Sequence, residues 1–241
     1  MAGPTYPTKE GQWSAGQRQE ASYAGVRLGL PYAQACANFR GAVQGRDDFD
    51  PAVLFVWGTM QAKGLLYMLE ALEEAFGEEG QQVARKAINK AGFEACQEML
   101  ANSQLPKDAS EIELLSFIVT GINCVLYASL EKPWIVDENR FDFDILWCPH
   151  QDIFRPFDCR IQRYFVEGMI GAVEAAGYSS LLPVVDKFMP KGADCCHFQV
   201  TKRDNDGDNP WNEYSNQLAA RALARKKAQD AATKDQQDGK D

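Results

Sequence analysis

The sequence predicts an α+β fold, in which a helical N-terminal half packs on a small antiparallel sheet with an inserted helix. In the first half, apolar residues recur every three or four positions, as they do on one face of a helix. In the second half, short stretches alternate apolar and polar residues, which is typical of half-buried strands. A domain that orders its elements in this way belongs to the α+β class.

The helical half contains a predicted hairpin. Apolar spacing predicts a helix over residues 53–76, and Gly77 ends it because glycine readily adopts the left-handed backbone of a helix end. A second helix extends to residue 100, and the two are expected to pack against each other. A third helix begins after the capping and acidic residues near Ser110 and extends to residue 127.

The second half contains the predicted strands. They are expected at residues 134–136, 141–147, 182–189 and 195–201. A helix over residues 158–176 separates the second strand from the third, and a turn at 190–192 joins the last two strands.

These elements form one predicted domain, residues 47–203. Residues 1–46 read as an N-terminal arm with a short helix at 32–43. Residues 204–241 read as a charged linker followed by an Ala-rich tail that is helical or disordered.

The net charge and the distribution of apolar residues argue against two classes of binding partner, nucleic acids and membranes. The chain has 241 residues and a net charge of -9, which argues against nucleic acid because phosphate binding needs a positive surface. The most apolar run, residues 118–130, is interrupted by polar residues, and no membrane span or signal peptide is recognised. We therefore expect a cytoplasmic protein with a small-molecule substrate and no membrane partner, and leave homo-oligomer formation open.

Both histidines lie beside cysteines, in Cys148-Pro-His150 and in Cys195-Cys196-His197. Imidazole and thiol are suited to proton transfer and nucleophilic attack near neutral pH. Cys148 leaves a predicted strand, so it is either a reactive thiol with His150 as its base or a small buried apolar residue. Structural zinc ligands are separated by two to four residues, and these clusters leave one or none. We expect free thiols, no metal and no other cofactor.

Strand alternation divides the second cluster between two faces. Cys196 shares the apolar face with Phe198, and Cys195 shares the other face with His197. A pocket between sheet and helices would be lined by the apolar face, so alternation does not decide which group is functional. Placement of both Cys/His clusters around one cavity would indicate a shared site.

A third group precedes the predicted inserted helix. Asp158 is most simply its N-cap, although a carboxyl group could also protonate a leaving atom. Cys159 would then lie in the first turn, where the helix dipole lowers the pKa of a thiol.

The order of these motifs resembles the L-2-amino-thiazoline-4-carboxylic acid hydrolase family over about residues 50–202. The resemblance rests on a strand that ends in Cys148-Pro-His150 and on a late strand with Gly192 and Cys196. It implies that Cys148 and Cys196 are the family's shared cysteines, with Gly192 and Phe198 as structural partners.

Two positions depart from the family's pattern. His150 stands where an aromatic residue such as tyrosine is usual, and His197 replaces an acidic residue. These departures bear on the reaction more than on the fold.

The resemblance implies a hydrolase that acts on a C–N bond of a small heterocyclic or amidine-like substrate. A thiolate, or a water activated by histidine, would attack an sp² carbon. The candidate catalytic residues are Cys148, His150, Asp158, Cys196 and His197. One alternative is a small-molecule-binding domain on the same scaffold, which the replacement at His197 favours. Another is an isomerase or cyclase of secondary metabolism, with a histidine as proton shuttle.

Overall fold

The computed structural model describes residues 26–155, 157–203 and 210–238, and it confirms the predicted α+β fold. Its helices are α1 (Ala33–Val43), α2 (Ala52–Asn102), α3 (Glu111–Gly121), α4 (Arg160–Ala175) and α5 (Pro210–Asp238). Its strands are β1 (Leu130–Ile135), β2 (Arg140–Trp147), β3 (Ser180–Lys187) and β4 (Cys196–Arg203). The first 25 residues of the predicted arm and the predicted linker at 204–209 lie outside the described residues.

Helix α2 folds back on itself at Gly77, which confirms the predicted hairpin. Gly77 has φ 58° and ψ -131°, a conformation that residues with a side chain rarely adopt. Leu66 and Ile88 share one buried apolar cluster, although a straight helix would hold them about 33 Å apart. The first arm, residues 52–76, therefore packs antiparallel to the second arm, residues 78–102.

Residues predicted as part of the arm pack against the body. The backbones of Arg27 and Gln104 exchange hydrogen bonds of 2.8 and 2.7 Å, and Leu28 is buried. The predicted short helix is present as α1. The folded body thus begins before residue 47.

Helix α3 begins as the sequence predicts. Ser110 and Glu113 form a capping box, in which the Ser110 backbone N–H donates to the Glu113 carboxylate at 2.9 Å. The helix continues into a π-helical turn, Ile122–Leu126, which brings the chain to the start of β1.

The four strands form one antiparallel sheet in the order β1-β2-β4-β3. Pro133 and Pro183 lie in the two edge strands, where a missing backbone N–H costs no ladder hydrogen bond. Phe143 and Ile145 of β2 and Cys196 of β4 project from the inner face into the main apolar core, which α3 and α4 complete.

Helix α4 lies closely against the second arm of α2. A methyl group added at Gly168 would collide with the carbonyl oxygen of Asn89, and one at Gly92 with that of Phe165. The two glycines let the helices approach backbone to backbone and so set the position of α4 over the sheet.

Helix α5 confirms the helical form of the predicted tail. Ala219 and Ala222 are buried, and the Gln81 side chain donates to the Ala219 carbonyl oxygen at 3.0 Å. The first half of α5 is therefore part of the packed body.

Helix α2 reaches the length and mean hydropathy at which a helix can cross a membrane. Its most apolar 18-residue stretch has a mean hydropathy of 1.3 and is 11% buried. The expectation that no stretch of the chain is long and apolar enough to span a membrane is therefore wrong, because α2 meets both criteria. Core helices of soluble proteins can meet the same criteria, but this stretch lies mostly at the surface of the chain.

Candidate functional site

A cavity of about 160 Å³, the sheet cavity, lies between the inner face of the sheet and helices α3 and α4. Its lining is mainly aliphatic and aromatic, contributed by all three elements. The side chains in the lining that can do polar chemistry are Asn123, Tyr127, Ser129, Cys148, His150, Cys159, Gln162, Arg163 and Cys196.

The structure brings Cys148, His150 and Cys196 together in this cavity, as a shared site requires. The Cys148 sulfur accepts from the His150 backbone N–H at 3.5 Å, and the Cys196 sulfur accepts from the Met189 backbone N–H at 3.3 Å. Burial raises the pKa of both thiols above the usual value of cysteine. Both are therefore neutral thiols at pH 7.

Cys159 also lines the sheet cavity, but its thiol is not activated. Burial raises the pKa of Cys159 to about 12. The prediction that the helix dipole lowers this pKa is wrong, because loss of hydration outweighs a partial charge at the helix end. All seven cysteines are free, as the sequence predicts.

Asp158 does not cap α4 and does not line the sheet cavity. The N-cap residue is Cys159, without a side-chain hydrogen bond. The Asp158 carboxylate instead accepts from the backbone N–H and the guanidinium of Arg155 at 3.0 and 3.1 Å, which closes the turn before α4. The N-cap prediction is corrected, and the structure gives Asp158 a structural role.

His197 lies on the opposite, outer face of the sheet, as alternation predicts. Its Nδ1 lies 2.8 Å from the Asp144 carboxylate, and its ring stacks on Trp134 with centroids 5.5 Å apart. The Cys195 sulfur lies 3.7 Å from the same Asp144 oxygen. The second Cys/His cluster is therefore divided between the two faces of the sheet, and the candidate site contains Cys148, His150 and Cys196 without Cys195 or His197.

A second cavity of about 510 Å³, the helix cavity, lies between the two arms of α2, the start of α1 and helix α4. Tyr127, His150 and Gln162 line both cavities and so form the wall between them. The Tyr127 hydroxyl donates to the Gln162 backbone carbonyl at 3.1 Å, which ties the end of the π-helical turn to α4. The wall is built from three separate segments of the chain.

Two polar atoms of this wall are buried and lack a hydrogen-bond partner within the described part of the chain, His150 Nδ1 and Gln162 Oε1. The His150 ring stacks on Phe154 with centroids 4.5 Å apart. Burial lowers the pKa of His150, so the imidazole is neutral at pH 7.

Arg163 adds a buried positive charge. Its side chain lines the sheet cavity, and its guanidinium lies 4.1 Å from the centre of the Tyr214 ring of α5. Burial lowers the pKa of Arg163, yet a guanidinium remains charged at neutral pH.

Sequence reasoning missed Tyr127, Gln162 and Arg163. Gln162 could have been identified from the sequence. It lies four and eight residues before Val166 and Ile170, so it is a polar residue on an otherwise apolar helix face. Among the residues that the structure describes, no group of three or more His, Cys, Asp or Glu side chains is arranged to hold a metal ion.

No family model matches the chain. An uncharacterized protein from Archaeoglobus fulgidus is 41% identical over 212 residues, which cover 86% of this chain and 94% of the archaeal protein. The chain belongs to the family of this archaeal protein. The match covers most of both chains, so the two proteins share the fold described above. The resemblance to thiazoline hydrolases stays a prediction.

Two solved structures are similar in part to this chain. A trafficking protein particle complex subunit 3 from Naegleria fowleri, covalently bound to palmitic acid, has a TM-score of 0.41 at 12% identity, over 64% of this chain and 97% of that chain. An H-NOX domain from Shewanella oneidensis in an Fe(II)CO state has a TM-score of 0.35 at 13% identity, over 72% and 90%.

Proposed function

We propose that the chain is a binding domain for a small, largely apolar molecule that carries an O–H or N–H group. The observation that supports this most directly is the pair of buried atoms without partners, His150 Nδ1 and Gln162 Oε1. A buried polar atom without a partner costs about 1–3 kcal/mol, so two in one wall are a considerable cost to the unliganded protein. A ligand that donates to Gln162 and bonds to His150 would remove that cost.

The lining restricts the charge of the ligand. Arg163 is the one charged side chain among the described residues that line the sheet cavity, and those that line the helix cavity include none. A cationic ligand would meet no carboxylate there, whereas a neutral ligand or a carboxylate would be accepted beside Arg163. Apolar walls with a few polar groups are typical of small-molecule sites.

The state of the thiols favours binding over cysteine catalysis. A nucleophilic cysteine needs a nearby base or positive dipole that stabilises thiolate. Here burial raises the pKa of Cys148 and Cys196. Both thiols act in this proposal as small apolar surfaces of the pocket.

The substitution Gln162→Leu tests the proposal because its two effects have opposite signs. It removes an unpartnered buried acceptor, so the ligand-free protein should gain about 1–3 kcal/mol in free energy of unfolding. It also removes the group that accepts from the ligand, so octan-1-ol, used as a probe, should bind about tenfold more weakly. Urea unfolding and isothermal titration calorimetry measure the two quantities.

Gln217→Leu is the matched control, since Gln217 is exposed on α5 and should change neither quantity. Unchanged octan-1-ol binding in Gln162→Leu would contradict the proposal. So would a loss of stability, because it would show that Gln162 already has a satisfactory environment.

Hydrolysis at an amidine-like carbon of a small heterocycle is the second candidate, because Cys148, His150 and Cys196 line one cavity. Neutral His150 could accept a proton from water as the water attacks the ring carbon between nitrogen and sulfur. The C–S bond of the thiazoline ring would then break, the sulfur would leave as a thiol that takes up that proton, and both C–N bonds would be kept. With L-2-amino-thiazoline-4-carboxylate as substrate, His150→Gln, Cys148→Ser and Cys196→Ser should each lower turnover by orders of magnitude. Absence of N-carbamoyl cysteine with the unmodified protein would exclude this candidate.

A further inference from the structure

The first arm of α2 exposes an unusual amount of apolar surface. Nine large apolar side chains between residues 52 and 76 are between 46 and 67% exposed. They are Val53, Leu54, Phe55, Val56, Trp57, Met60, Tyr67, Met68 and Phe76. Monomeric proteins rarely leave so many large apolar side chains of one element in water, so this surface indicates an interaction.

The spacing on this arm indicates that its partner is a helix. Val53, Trp57, Met60, Gly64 and Tyr67 follow one another at alternating intervals of four and three residues, which is the a/d pattern of helices that pack side by side. This row lies opposite the side that packs on the second arm. We call it the seam.

Gly64 lies within the seam and has open space around the position of a Cβ atom. Glycine in an exposed helix interior costs roughly 1 kcal/mol relative to alanine. A neighbouring helix that approaches closely at this point gives the glycine a physical role.

We propose that the seam is the contact between two copies of this chain. When fully covered, aromatic side chains bury about 150–250 Å² each. The seam side chains Val53, Trp57, Met60 and Tyr67, with the flanking Val56 and Met68, are each half exposed or more and supply on the order of 600 Å² per copy, which reaches the lower limit of the surface that each partner of a stable dimer buries. A two-fold pairing brings the same face of each copy together, so a single apolar seam is sufficient.

A membrane fits the arm less well. Helices that lie on a membrane carry Lys and Arg on their polar face, whereas Lys63 is the one basic residue between 52 and 69, and Asp47, Asp48 and Asp50 precede the arm. A helix that spans a membrane within lipid would be apolar on all sides, but the inner side of this arm packs through Leu66 on the second arm.

Residues 1–25 are another possible occupant. Their sequence is rich in Gly, Gln and Ser and lacks the periodic apolar residues that would complement the seam. A second copy provides that complement.

The test measures the mass of the full chain in solution by light scattering after gel filtration, at micromolar concentration. We expect twice the chain mass of 26.9 kDa. Trp57→Glu and Met60→Glu place a charge in the seam and should each raise the dissociation constant at least 100-fold. Val184→Glu is the matched control, because Val184 is exposed to a similar degree on β3 and should leave the dimer intact.

Circular dichroism should show unchanged helix content in all three variants, since every substituted side chain is exposed. A dimer that persists in both seam variants would overturn the proposal, as would a monomeric full chain. For a monomer, flotation with vesicles of phosphatidylcholine and phosphatidylglycerol would show whether lipid covers the seam instead. Ligand binding is measured in a separate experiment, so the finding of a dimer or of a monomer does not affect the proposal that the chain binds a small molecule.

Discussion

Burial determines the chemistry of each thiol in the sheet cavity. Motif reading treats Cys148, Cys159 and Cys196 as potential nucleophiles because each lies near a histidine or a helix end. The folded chain instead surrounds them with apolar side chains, and their pKa values rise. A sequence shows which residues are neighbours along the chain, but desolvation depends on the elements that close over them. That is why the reactivity of these thiols could not be predicted.

His150 should make the stability of the protein sensitive to mild acid. Desolvation lowers its pKa in the folded state, whereas an unfolded histidine titrates near about 6.5. Between those two values the unfolded chain binds more protons, so the free energy of unfolding should fall as the pH drops below about 6.5. Urea unfolding at pH 7.5 and pH 5.5 measures this loss.

His150→Phe should reduce that loss, because phenylalanine cannot take up the proton. His197→Gln is the comparison, since it removes the other histidine of the chain, on the far face of the sheet. If the decline between the two pH values were the same in His150→Phe as in the unmodified protein, another group would be responsible for it.

At the scale of elements, most of the architecture follows from periodicity. Alternation in β2 and β4 correctly assigns Cys196 to the inner face and His197 to the outer face, because side chains of a strand must alternate. Gly77 predicts the reversal of α2 because few other residues adopt its backbone conformation. Strand alternation and the backbone preference of glycine act locally along the chain, and tertiary packing does not change their outcome at these positions.

Contacts between elements were harder to predict from the sequence. Gly92 and Gly168 read in the sequence as ordinary interruptions of helices, yet they allow α2 and α4 to approach closely. Asp158 has the sequence position of an N-cap, but its carboxylate bonds to Arg155 in the preceding turn. In both cases the outcome depends on competing partners that only the assembled chain brings near.

At the scale of the whole molecule, the candidate site lies where distant segments meet. Tyr127, His150 and Gln162 come from the end of a π-helical turn, a loop after β2 and the first turn of α4. Cys148, His150 and Cys196 could be named from sequence because each belongs to a short motif. The wall between the two cavities could not be predicted from the sequence, because no motif links Gln162 to Tyr127 and His150, which lie 35 and 12 positions earlier in the chain.

A buried ionic network holds the four helical segments together behind this site. The Glu73 carboxylate accepts from Arg160 of α4 at 2.8 Å and from Gln81 of the second arm at 2.8 Å. The Gln81 side chain donates in turn to the Ala219 carbonyl oxygen of α5 at 3.0 Å. The Glu73 and Arg160 side chains are 6 and 3% exposed, so neither charge is balanced by water.

Glu73→Ala should therefore lower the free energy of unfolding by about 3–5 kcal/mol, because it leaves the buried Arg160 charge without its partner. The double variant Glu73→Leu, Arg160→Met should regain most of this loss, since it removes both charges and fills the space with apolar atoms. Urea unfolding measures both, and Glu94→Ala, which breaks an exposed pair with Lys90, serves as the control. A double variant no more stable than Glu73→Ala would show that the network contributes through its geometry across the hairpin, α4 and α5, and that charge compensation is secondary.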